Sequence, residues 1–211
     1  MENVEIKFRK TFAQAIDFLR VNGFDVTKSP RPAVKIEHAK YFLDNVGMRI
    51  LNECGQEWHT INAEEEILSW LTDNTNLGLA LMGGCGNGKT LFAMKILPTI
   101  IYMTSERVCG CYHVRQLHDK WEEVIKRDIL VIDDVGTEEM VNEYGIKHYP
   151  FMELVNICEE KNKLLVITTN LNGEELRNKY DERTYSRLRG MTRTIVFKGK
   201  DNRIYGNEHK A

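Results

Sequence analysis

Proline is scarce in this chain, four residues in 211, and long hydrophobic runs are missing. The most apolar stretch, residues 96–103, is interrupted by Pro98 and Thr99 and falls far short of the roughly 20 residues a membrane-spanning helix needs, so no membrane span is expected. Residues 1–10 carry Glu2, Glu5, Lys7, Arg9 and Lys10 with no apolar segment behind them, which excludes a secretory leader and points to the cytoplasm. Cysteine is sparse and odd in number (Cys54, Cys85, Cys109, Cys111, Cys158), in a chain long enough to build its own core. Free thiols are therefore expected rather than a disulfide scaffold. Low-complexity tracts are also missing, and 42% hydrophobic with 28% charged residues marks an ordered globular chain.

No single sign of charge dominates, since the net charge is −2, but the distribution is uneven. Residues 61–176 hold ten Lys/Arg against nineteen Asp/Glu, whereas residues 177–211 hold ten against four. A basic end on an acidic body suits a polyanion contact or a charge-complementary subunit interface, or is simply a solvated tail. At about 150 residues per domain, the length allows one full domain and an appendage of about 60 residues.

The order of elements follows from periodicity. Phe8, Phe12, Ala15, Ile16 and Leu19 recur at helical spacing up to Gly23, and Ile36, Ala39, Leu43, Val46 and Ile50 repeat three-four-three-four. Two amphipathic helices are expected, separated by a loop with Gly23, Ser29 and Pro30. Residues 1–60 are read as a helical partner-docking region, the alternative being a plain extension of the core. From residue 61 onward, apolar runs at 77–82, 129–132, 164–168 and 194–197 are too continuous for half-exposed strands and predict strands covered on both faces. Helices are expected over 64–71, 89–97 with a stop near Pro98, 114–126, 151–160 and 174–189. Strand and helix in alternation predict a three-layer α/β fold with a parallel sheet over 61–211.

The chemistry concentrates at strand ends. After the run 77–82 stands Gly83-Gly84-Cys85-Gly86-Asn87-Gly88-Lys89-Thr90, which satisfies G-x-x-x-x-G-K-[ST] in a strand-loop-helix setting. The glycines let the backbone turn its N–H groups toward phosphate oxygens, the helix beginning near Lys89 to Leu91 adds its positive end, and Lys89 supplies an ammonium. Thr90 offers a hydroxyl to Mg²⁺, and ATP is the expected ligand. The run 129–132 ends in Asp133 and Asp134; Asp133 is a hard oxygen ligand for Mg²⁺, and Asp134 is placed to orient or deprotonate a water. The run 164–168 leads through Thr168 and Thr169 to Asn170, which can bond a water or a γ-phosphate oxygen. Further on, Arg183 and Arg187 share a helix face, either to stabilise transferring phosphate or, with Glu182, as a solvated surface.

The set GGCGNGKT, ILVIDDVG, LLVITTN and DERTYSRLR resembles the AAA+ ATPase domain of the bacterial helicase-loader family, the DnaC and IstB type, over about residues 77–197. The resemblance implies an ASCE-type P-loop fold and an ATPase, and the shorter reach of Asp134 relative to a Glu predicts weak basal turnover. It also implies an arginine finger at Arg187, with Arg183 as an accessory, acting in trans on the next subunit's ATP, and hence self-association. It implies a role in DNA replication with single-stranded DNA and a replicative helicase as partners. In the insertion-element branch the partner is instead a transposase. The fourteen residues after Phe197 leave no room for a C-terminal helical lid, as in the loader family. Arg189, Arg193 and Lys198 are further expected phosphate contacts for DNA.

Other readings fit less of the chain. Asp133 to Gly136 satisfies D-x-x-G and Asn178 to Asp181 satisfies N-K-x-D, as in a GTPase, but the second string follows a charged helical run instead of closing an apolar strand. A nucleotide kinase lacks a definable acceptor pocket. A nucleotide-gated binding module with little turnover uses the same residues and differs only in rate. Cys109, Cys111 and His113 alternate on one side of a strand but lack the spacing and fourth ligand of a zinc site.

Overall fold

A computed structural model describes residues 10–23, 30–143 and 146–198. Five strands form one parallel sheet: β1 (Gly78–Gly83), β2 (Gly110–His113), β3 (Ile129–Val135), β6 (Leu164–Thr169) and β7 (Thr192–Phe197), in the spatial order β2-β3-β6-β1-β7. Four of the five strands lie where the apolar runs predict, to within three residues; β2 falls on no predicted run, and β7, at the sheet edge, leaves Thr194 and Val196 exposed, so it is not covered on both faces as expected. Alternate side chains pack into two separate clusters. Leu79, Leu81, Ile129, Val131, Leu164 and Val166 face one, while Ala80, Leu130, Ile132, Leu165 and Ile167 face the other. A strand whose both faces meet apolar layers explains why these runs are continuous instead of alternating.

Helix α2 (Ala39–Glu53), α3 (Glu64–Thr72) and the helix after the loop form the first layer; α6 (Trp121–Val124), α7 (Pro150–Glu160), α8 (Gly173–Tyr180) and α9 (Glu182–Met191) form the second. Val34, Ile36, Leu43 and Val46 share the first cluster with Leu79 and Phe92, so the segment 34–53 is part of the main core. Helix α1 (Phe12–Val21) buries no residue and leaves Phe12, Phe18 and Val21 exposed. Its N-terminus is fixed by a capping box, Thr11 Oγ1 accepting from the Gln14 amide. Phe8, placed at the start of this helix by periodicity, lies outside the described residues.

Three helical expectations need correction, and one strand pair was not expected. The helix predicted to stop near Pro98 runs on as α4 (Lys89–Leu91), a π-helical turn (Phe92–Ile96) and α5 (Leu97–Ser105). In the wide turn the Leu97 amide bonds the Phe92 carbonyl, five residues back, and this widened turn precedes a proline that has no N–H to give. The helix predicted over 114–126 is a 3₁₀ turn (Val114–Gln116) and the short α6, with a turn between. The helix predicted over 174–189 breaks at Asp181, whose backbone sits at φ +95° and whose carboxylate accepts from the Thr184 amide at 2.7 Å. Asp181 is therefore the cap of α9, and the N-K-x-D string is spent on a helix boundary. A fourth difference is an addition: an antiparallel pair, β4 (Val141–Glu143) with β5 (Ile146–His148), stands between β3 and α7.

Candidate functional site

The central position of β6, between β1 and β3, brings three strand ends to one sheet edge, where open α/β sheets bind ligands. The loop from Gly83 to Gly88 leaves β1 there and needs its glycines. A Cβ on Gly83, whose φ is +142°, would stand 2.3 Å from the Phe197 carbonyl oxygen, and Gly88 begins α4 at φ +86°. Asn87 is buried and donates through Nδ2 to the same Phe197 oxygen at 3.3 Å, tying the loop to β7. Its Oδ1 is buried with no protein partner. Cys85 is exposed at the loop's outer rim, and Leu91 is half-buried against the first core layer.

Lys89 is buried and its Nζ donates to the Gly83 and Gly84 carbonyls at 2.8 and 2.6 Å and to Asn170 Oδ1 at 3.1 Å. The ammonium thus curls back over the loop and joins it to the end of β6. Thr90 donates to Asp133 Oδ1 at 2.9 Å, and Thr168 donates to the same oxygen at 2.6 Å. Two hard oxygens, a hydroxyl and a carboxylate 2.9 Å apart beside the glycine loop, form a donor set that fits Mg²⁺ bound with a triphosphate. Lys89, Thr90, Asp133 and Asn170, predicted from three separate motifs, converge here.

Asp134 owes its position to a bulge. The β3–β6 register slips between Ile132 and Val135, so β3 carries one residue more than β6 opposite it, and Asp134 takes φ +55°. Its amide donates to Thr168 Oγ1 at 2.9 Å, while its carboxylate lies 3.4 Å from His113 Nε2 at the end of β2. His113 Nδ1 accepts from the Arg115 amide at 3.2 Å, which leaves Nε2 to carry the proton of the neutral ring and present it to Asp134. His113 was legible only as a member of a doubtful cysteine-histidine set. Its place beside the acids depends on the β2–β3 register, which pairs it with Asp133. Burial pushes the Cys109 thiol up to about 12 and that of Cys111 up to about 11, so both remain protonated near neutral pH.

Beyond the bulge, Glu138 is buried and accepts from the Gly136 amide at 3.0 Å and from the Tyr180 hydroxyl. Burial, and then the Glu138 carboxylate, push the Tyr180 phenol above its ordinary range. The turn after the acids is thereby fastened to the end of α8, next to the cap of α9. On α9, Arg187 turns to α7: Nε lies 2.7 Å from Glu159 Oε2, and Nη1 donates to Asn156 Oδ1. Arg183 is exposed. Arg177 and Arg189 both lie over the Tyr185 ring, at 5.1 and 6.0 Å.

No family model and no curated protein matches the chain. Among solved structures, the DnaC helicase loader superposes with a TM-score of 0.52 at 19% identity, over 75% of this chain and 99% of that one. DnaI gives 0.48 at 20% identity, over 59% and 72%. The AMPPCP-bound DnaA of Aquifex aeolicus gives 0.48 at 16% identity, over 70% and 50%. The chain has the α/β fold of the DnaC helicase loader.

Proposed function

We infer that the chain is a Mg²⁺-dependent, ATP-hydrolysing AAA+ protein of the DnaC and IstB helicase-loader type, acting in DNA replication in the cytoplasm. The observation that carries this reading is the meeting of Lys89, Thr90, Asp133 and Asn170 at one sheet edge through direct bonds. Residues 83–91 hold the phosphates of ATP, with Lys89 exchanging its loop carbonyls for β- and γ-phosphate oxygens. Thr90 and Asp133 hold Mg²⁺, which supplies charge neutralisation to the triphosphate. Asp134 accepts a proton from, or orients, the attacking water, and Asn170 reads the γ-phosphate. Arg187 completes the site of an adjoining subunit, so hydrolysis by the isolated chain is weak. Asp134 is already engaged by His113, which lowers basal turnover in the same direction.

The partner-docking role falls within residues 1–60, on the exposed apolar side chains of α1 (Phe12, Phe18). Single-stranded DNA contacts fall on Arg189, Arg193 and Lys198. Calorimetry with ATP and Mg²⁺, on the wild type and on Lys89→Ala, tests the nucleotide assignment: equal affinities would overturn it. Affinity capture with the full chain, against one carrying Phe12→Asp and Phe18→Asp, tests the docking role. A replicative helicase in the first capture and missing from the second supports the loader reading; a transposase replaces it with the insertion-element reading.

A further inference from the structure

Arg187 is not a free surface guanidinium. Asn156 and Glu159 are three residues apart on α7 and so lie on one helix face, the face turned away from Phe151, Leu154, Val155 and Cys158 in the core. From there they take two of the five guanidinium hydrogens: Nε–H goes to Glu159 Oε2 at 2.7 Å, and one Nη1 hydrogen goes to Asn156 Oδ1. Nη2 and the second Nη1 hydrogen are left over, the edge that a planar guanidinium uses to grip two phosphate oxygens at once. Arg187 retains 24% side-chain exposure and Glu159 40%, so the cluster opens to solvent instead of being sealed in the core. An ion pair this exposed contributes little to folding, yet it removes most of the rotamer freedom of a long side chain.

We propose that Asn156 and Glu159 are positioning residues that hold the Arg187 guanidinium in the pose with which it meets the terminal phosphate of a neighbouring subunit's ATP. The proposal rests on the reading of Arg187 as a trans-acting finger. Its physical content is preorganisation: a guanidinium aimed in advance does not spend assembly free energy on ordering. The carboxylate keeps Nε–H occupied and directs the Nη edge outward. Arg183, about one helical turn earlier on α9, is exposed, and among the described residues no hydrogen bond or ion pair holds it to α7.

Mixed oligomers of the full-length chain test this. One subunit carries Lys89→Ala and so offers a finger without a working ATP site; the other carries Arg187→Ala and offers a site without a finger. Hydrolysis then arises only from the mixed contact. Glu159→Ala placed in the finger-bearing subunit lowers mixed hydrolysis roughly tenfold. The same change in the site-bearing subunit leaves it unaltered, and Glu159→Gln, which keeps an acceptor for Nε–H, restores most of the rate. Unchanged hydrolysis with Glu159→Ala in the finger-bearing subunit overturns the positioning role, as does an equal loss from either placement, which marks a fold defect. If the two parent variants co-assemble and yet fail to hydrolyse ATP together, the trans-finger reading itself falls.

Discussion

Lys89 illustrates how a single charge can be both buried and ready. Its ammonium is satisfied by two loop carbonyls and Asn170, all neutral partners that charged phosphate oxygens can outcompete. Lys89→Ala should weaken Mg-ATP binding roughly 10- to 100-fold, the worth of charge-assisted bonds, measured by calorimetry. Cys85 gives a second readout. It is exposed beside the phosphates, whereas burial pushes the Cys158 thiol up to about 12, so at pH 8 Cys158 holds almost no thiolate. Iodoacetamide should therefore modify Cys54 and Cys85 and spare Cys158, and saturating Mg-ATP should slow modification of Cys85 alone; intact-mass spectrometry follows both. The loop, Asp133 and Asn170 were legible in the sequence because each motif is short and its strand is continuous. His113 beside Asp134, and Glu159 beside Arg187, were not. These contacts depend on strand register and on helix packing across dozens of residues, which no local pattern encodes.

Helix boundaries show the same division between local and distant causes. Pro98 reads as a stop because it lacks an N–H, but the π-helical turn before it widens the helix and the chain continues to Ser105. Asp181 reads as one more polar residue in a charged helix, yet it separates α8 from α9 and caps the second. Asp181→Ala should cost about 1 kcal/mol of stability by urea denaturation, the usual worth of a lost cap. Tyr180→Phe should cost about 1–3 kcal/mol, because it leaves the buried Glu138 carboxylate short of a donor. An unchanged urea midpoint for Tyr180→Phe would remove the idea that Glu138 fastens the acid turn to α8. The central strands β1, β3 and β6 were far easier to read than these helices. Their two-sided burial writes itself as an unbroken apolar run, while the edge strand β2, a cap, a π turn and the β4–β5 pair leave little trace in composition.

For the molecule as a whole, the sheet order decides what can cooperate. With β6 between β1 and β3, the loop, the acids and Asn170 share one edge, while α9 with Arg189 belongs to the layer on one side of the sheet. If that surface meets single-stranded DNA, Arg189→Ala should weaken binding by all sequences alike and reduce the slope of log affinity against log salt by about 0.7, the value for one single-strand phosphate contact. A salt titration by fluorescence anisotropy reads this directly, and an unaltered slope would remove Arg189 from the contact. The bond from Asn87 to the Phe197 carbonyl has a practical use. It makes the outermost strand and the phosphate loop neighbours, so a fluorophore attached at Val196, half exposed and one residue away, would respond to nucleotide arrival, while the same dye on α1, which buries nothing, would stay silent.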